Sequence, residues 1–288
     1  MRWAGSALAG LAMLVLPWGT QLGGWAATRA ALVQEGSQAE ATASYKMAEN
    51  GQSLLADGSD PDLRVAVYGD LASAGHIAVL VPGVESWPED FDADLVGGTG
   101  DSWWRGLPGS ARSLLAASGQ VEGAANDLAV VAWLGYKTPA ALTGAKPDGM
   151  EQGAANLVAF ARFLALERPN ADTTWVCHSY GSLVCAAALV DSDPDALVLI
   201  GSPGVAVDDV TGLATSAPVW AGQTEADLIG LTRLLGLYGG SFGPLPASQP
   251  FGARTFDCTP DDGHSDYFRP GSLQLEAMAK IVLGYQAD

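Results

Sequence analysis

Basic residues are in short supply: Lys and Arg number 14 against 32 Asp and Glu, a formal charge of −18 over 288 residues. A chain this acidic repels a phosphate backbone and an anionic bilayer surface, so nucleic acid is excluded as the expected partner. Histidine and cysteine are also scarce, at three each. Three thiols cannot all pair within one monomer, and none stands in a C-x-x-C or at ligand spacing from a His, so neither a disulfide framework nor a metal site is expected. Cys177 and Cys185 read as small buried apolar residues, one at a strand end and one in the next helix. A G-x-G-x-x-G is missing as well: "VPGVESW" stands where the first βα turn would carry it, which removes the dinucleotide-binding reading. No cofactor is implied, and no internal repeat is present.

What is there begins at Arg2, followed by the apolar run "ALAGLAMLVL" at 7–16, the breaker Pro17 and a Gly- and Trp-rich stretch without charge until Arg29. A short apolar run behind a lone positive charge, with small residues up to Ala26, has the form of a secretory signal. The uncharged stretch 3–28 is also long enough to cross a bilayer core of about 30 Å. Residues 1–30 are therefore expected to be a signal peptide or an N-terminal membrane anchor, and the protein secreted or tethered to the cell envelope. Residues 31–60, mixed in Ala, Gln, Glu and Ser, read as a linker or short helix, and 61–288 as one domain.

Within that domain short β-rich runs alternate with longer helical stretches. Strands are expected at 64–69, 76–81, 128–135, 173–178, 196–201, 217–222 and 253–258, and helices at 109–118, 149–167, 180–190, 225–236 and 271–284. Several of the strands are apolar throughout rather than alternating, as burial on both faces by crossover helices requires. The fold class is α/β, a three-layer sandwich on a mostly parallel central sheet. Only about 16 residues separate "ALVLIG" from "APVWAG", too few for a large helical cap.

One stretch, "TTWVCHSYGSLVCAAALV" at 173–190, runs from an apolar strand through Ser179 directly into a helix of small residues. A Ser at such a turn projects above the sheet edge, and the following N–H points into the same space. Gly181 allows strand and helix to approach, and the pattern is a C-x-S-x-G variant of the G-x-S-x-G elbow. A hydroxyl becomes a useful nucleophile when an imidazole held by a carboxylate removes its proton. His264, in the loop "CTPDDGHSDYF", is the candidate base. Asp227, five residues past the strand in "APVWAGQTEADLIG", is the candidate acid, with Glu225, Asp208 and Asp209 as alternatives. His178 and His76 read as structural. The oxyanion needs two N–H donors already in place; Tyr180 and Val84 are the candidates, with Gly83 in place of Val84 as the alternative. Segment 84–127, carrying Trp87, Trp103 and Trp104, is the candidate substrate cover, and 238–252 a second Gly- and Pro-rich rim.

The blocks "AVLVPG", "VVAWLGYKTP", "CHSYGSLV", "VLIGSPG" and "HSDYF" occur in the order and spacing of an actinobacterial α/β-hydrolase family catalogued as a domain of unknown function, which the chain resembles over roughly 60–285. The resemblance implies the α/β-hydrolase fold and a serine-hydrolase triad on Ser179, Asp227 and His264. It names no substrate. The chain departs from the family in carrying Cys177 where Gly is usual and Leu228 after Asp227 where Pro is usual. The expected activity is cleavage of a small-molecule or lipid-like carboxylic ester through an acyl-Ser179 intermediate. Its rivals are acyl transfer on the same triad and a non-catalytic envelope binding protein on the same scaffold.

Overall fold

The apolar runs form the centre of a seven-stranded sheet. The computed structural model describes residues 61–95, 100–125, 127–140, 147–229 and 242–287, the strands Tyr45–Met47 and Leu54–Ala56, and Ala41 and Ala43. The expected signal or anchor at 1–30 and most of the helix expected at 225–236 lie outside the described residues. Among the described residues, no helix is long and apolar enough to cross a membrane.

In chain order the strands are β1 (Tyr45–Met47), β2 (Leu54–Ala56), β3 (Arg64–Tyr68), β4 (His76–Val81), β5 (Leu128–Leu134), β6 (Asp172–His178), β7 (Ala196–Ile200), β8 (Val219–Gly222) and β9 (Arg254–Thr255). The helices are α1 (Pro88–Leu95), α2 (Leu107–Ser118), α3 (Pro147–Glu167), α4 (Gly181–Ala188) and α5 (Leu273–Ile281). The large sheet runs β3-β5-β4-β6-β7-β8-β9, and every neighbouring pair is parallel except β3 with β5. The three-layer sandwich with its mostly parallel sheet is thus present.

Side-chain alternation divides the core between the two faces. Val79, Val131, Trp175 and Leu197 point into the layer that contains α3 and α4; Leu80, Val130, Val176 and Val198 point into the layer that contains α2 and α5. Every residue of β5 and β7 is buried, which accounts for their unbroken apolar sequences. Between β7 and β8 there is only the short 3₁₀ turn Val210–Gly212, so no large cap covers the sheet edge.

Four elements differ from expectation. Two pieces of the segment read as linker or short helix, β1 and β2, pair antiparallel. Their stability comes from distant partners: the Tyr45 ring lies 4.8 Å from that of Phe160, and the Trp133 indole N–H donates to the Tyr45 hydroxyl at 3.1 Å. Helix α1 arises inside the segment read as a covering loop. Its sequence "PEDFDADL" buries only Phe91, too little for an apolar period to show, while Pro88 at its start and Glu89 and Asp90 in its first turn suit a helix N-terminus. Strand β9 is two residues long rather than six, as befits the last strand on an exposed edge.

Candidate active site

The turn from β6 to α4 is held in a conformation an L-residue rarely adopts. Ser179 has φ +54°, a strained left-handed value, and its N–H is anchored to the Ile200 carbonyl of β7 at 2.9 Å. The Ser182 N–H and hydroxyl both donate to the Ser179 carbonyl, at 3.0 and 2.6 Å, which locks the first turn of α4 to the Ser179 backbone. A side chain at Gly181 would put its Cβ 2.4 Å from the Pro82 carbonyl oxygen, so only glycine lets α4 sit this close to the loop after β4.

The elbow carries a feature the sequence reading missed. Cys177 and Cys185 are joined in a disulfide, with both residues fully buried. The expectation of two independent apolar thiols is therefore corrected. A strand end and the second turn of the following helix, folded back by a tight turn, bring their Cα atoms to 6.6 Å, within the span a disulfide bridges. Cys258 is the remaining thiol, and burial above all pushes its pKa up to about 12.

Above the elbow three side chains meet. The His264 Nε2 lies 2.9 Å from the Ser179 Oγ, and its Nδ1 lies 2.9 and 2.8 Å from the two oxygens of Asp227. Asp227 follows β8 and His264 follows β9, and the two loops are tied by the Ala226 N–H donating to the Pro260 carbonyl at 3.0 Å. The Asp227 side chain is closed off from water, whereas that of His264 is 33% exposed. Burial works to raise the Asp227 pKa. The hydrogen bond and charge of His264, the Ile229 N–H at 2.9 Å and the Tyr267 hydroxyl at 2.7 Å outweigh it, and hold the carboxyl below the usual carboxylate range. The other candidate acids are elsewhere: Asp209 accepts from the Thr211 N–H at 2.9 Å as a cap of the short 3₁₀ turn, and Asp208 and Glu225 are exposed.

Two residues that the sequence reading gave no part in the site support it. Tyr267, buried, donates to the Asp227 Oδ2 and accepts from the Thr224 N–H at 3.3 Å. His178, read as structural, has its Nε2 2.8 Å from the His264 carbonyl oxygen and its ring 4.7 Å from the His264 ring. Burial of the ring, then the neighbouring His264, push its pKa down to about 3, so the imidazole is neutral and its Nε2–H donates to that carbonyl. Gly201, with φ +54°, completes the floor: a Cβ there would stand 2.9 to 3.1 Å from Tyr267, Asp227 and His264 atoms.

The loop after β4 passes directly over Ser179. A Cβ on Gly83 would lie 2.7 Å from that of Ser179. The loop is pinned by the Tyr136 hydroxyl on the Pro82 carbonyl at 2.5 Å, by the Glu85 N–H on the Pro139 carbonyl at 3.1 Å and by Ser86 on Thr138. Val84 lines the crevice beside Ser179, and Tyr180 follows Ser179 with its ring turned inward against Tyr136 at 6.3 Å.

The crevice that opens on Ser179 and His264 has a volume of about 260 Å³. None of Trp87, Trp103 and Trp104 lines it, which corrects the expected substrate-binding role. Trp87 lies at the start of α1, Trp103 faces a separate groove between α2 and α5, and the Trp104 indole N–H is committed to Asp266 at 3.2 Å. Sequence shows that an aromatic is near a loop; it does not show which face of the next helix covers it. The rim expected at 238–252 is described only from 242, and none of its described residues lines the crevice.

A three-layer sandwich on a mostly parallel sheet, with a serine on a strained strand-to-helix turn, is the α/β-hydrolase arrangement, and the chain belongs to that family: the model described as "Alpha/beta hydrolase" matches residues 57–236. Similar solved structures include an alpha-beta serine hydrolase homologue from Coxiella burnetii, at 13% identity and TM-score 0.44, covering 84% of this chain and 95% of that one. XC6422 from Xanthomonas campestris, a serine hydrolase without lid, aligns at 16% identity and TM-score 0.43 over 84% and 92%. The carboxylesterase Cest-2923 from Lactobacillus plantarum aligns at 12% identity and TM-score 0.35 over 74% and 80%. No curated protein matches at a significant level.

Proposed function

We propose that the protein is a serine esterase that cleaves carboxylic esters through an acyl-Ser179 intermediate. The observation that carries the reading is the unbroken line from the Ser179 hydroxyl through the His264 imidazole to the buried Asp227 carboxylate, at the mouth of a crevice. His264 Nε2 takes the hydroxyl proton as Oγ bonds to the ester carbonyl carbon. The resulting oxyanion lies between the backbone N–H groups of Tyr180 and Val84. The imidazolium then returns the proton to the departing alkoxide, and the C–O bond breaks. Water, deprotonated by the same nitrogen, attacks the acyl-serine, and the proton passes back to Ser179 as the acid is released. Asp227 stays ionised throughout and stabilises the imidazolium.

A fluorophosphonate probe and p-nitrophenyl esters test this. The wild type should label and turn over, Ser179→Ala should not label, and Ser179→Ala and His264→Ala should each lose at least about a thousandfold in kcat/KM. Retention of activity by either variant overturns the assignment. The apolar N-terminal run and the buried disulfide both support export to an oxidising compartment.

A further inference from the structure

We infer that the crevice beside Ser179 is an acyl subsite for compact acyl groups, and that the start of α2 sets its length limit. The inference rests on the esterase reading of the same site and goes on to the class of substrate. At about 260 Å³ the crevice falls below the roughly 300–1,000 Å³ of sites that enclose drug-sized ligands.

The two sides of the site differ in a way that assigns the crevice to the acyl half. His264, which hands a proton to the leaving alcohol, is 33% exposed, so the alcohol departs toward water and its length meets no wall. The acyl group stays bonded to Ser179 until water attacks, and the buried lining is what can hold it. The apolar part of that lining is Leu80 and Val176, register neighbours near the ends of β4 and β6, with Ser110 of α2, Phe268 and the half-buried Leu107; Glu85, Ser86, Arg105 and Ser265 supply its polar part. The Ser110 hydroxyl donates its proton to the Trp104 carbonyl at 2.8 Å, so it offers no donor to a bound chain.

The far wall is fastened rather than hinged. The Ser113 hydroxyl donates to the Phe268 carbonyl at 2.6 Å, Trp104 donates to Asp266 at 3.2 Å, and Arg105 grips Asp266 with Nε at 2.8 Å and Nη2 at 3.1 Å. These four bonds stitch the approach to α2 onto the segment just after His264, so a longer chain has to displace packed side chains instead of pushing aside a loop.

Two ester series measured on the full-length enzyme test the inference: p-nitrophenyl acetate to dodecanoate, which varies the acyl chain alone, and methyl to octyl butyrate, which varies the alcohol alone. We expect kcat/KM to fall at least about tenfold from butyrate to octanoate and to change less than about threefold along the alcohol series. Leu107→Ala should raise the octanoate-to-butyrate ratio at least about tenfold, and Leu107→Trp should lower the butyrate-to-acetate ratio, with melting curves reporting that both variants fold. Octanoate or longer preferred by the wild type, or a cut-off in the alcohol series in place of the acyl series, overturns the inference. So does fluorophosphonate labelling of Ser179 without turnover of any short ester, while absence of both labelling and turnover overturns the esterase reading beneath it.

Discussion

Asp227 remains a carboxylate in a place closed to water because three donors converge on it. Tyr267 is the one whose removal leaves the others standing. Tyr267→Phe keeps the ring and deletes one hydrogen bond to a charged group, worth roughly 1.5–3 kcal/mol. It should lower kcat about tenfold with little change in KM, and move the acid limb of the pH–rate profile upward because the carboxylate loses a partner. A KM effect alone would mean the hydroxyl acts on substrate instead. His178 predicts a stability effect with a definite sign. Its pKa is about 3 folded, against about 6.5 when unfolded. Between those values the unfolded chain binds the extra proton, so this contribution is complete above pH 6.5 and is lost as pH falls toward 3. His178→Gln should therefore lose less stability than wild type between pH 6.5 and 4.5, by up to about 1.4 kcal/mol per pH unit; parallel melting curves for the two would refute it. At this scale the sequence shows Ser179, Asp227 and His264 through their order and the elements they follow. Tyr267, three residues past His264 in the "HSDYF" block, was within reach of the same reasoning. His178 was not, because the carbonyl it serves comes from a loop 86 residues away.

The elbow is the element where local sequence and tertiary structure disagree most usefully. Cysteine stands at 177 where glycine is usual in such turns, and its bridge to Cys185 fastens the strand to the helix by a covalent bond. For a loop of this length the chain-entropy model assigns the bridge about 2.5 kcal/mol. The Cys177→Ala/Cys185→Ala double variant should melt about 5–10 °C lower and label more slowly with fluorophosphonate; an unchanged labelling rate would show that the turn holds itself. Spacing alone did not reveal this pair, since eight residues is also the distance between two cysteines that never meet. Helix α1 and the β1–β2 ladder were hidden for a different reason: one buries a single side chain, and the other depends on Phe160 and Trp133 far along the chain. Where an element buries most of its residues, as β4, β5 and β7 do, its sequence declared it.

For the whole molecule, the alternation of fully apolar strands with crossover helices was enough to read the three layers and the absence of a cap, because both follow from burial and segment length. Residues 1–30 and thiol chemistry offer two tests of the proposed export. A secreted form should begin after Ala26 by mass, and should show one reactive thiol in denaturant before reduction and three after, from Cys258 and the bridged pair. Three thiols before reduction would argue for a reducing compartment.

The bridge under Ser179 also bears on how the protein is made. Produced in a bacterial cytosol that keeps sulfur reduced, the polypeptide would lack the covalent tie between the strand and the helix on either side of Ser179. Batches would then differ in the fraction of chains bridged, according to the oxidation they met during lysis.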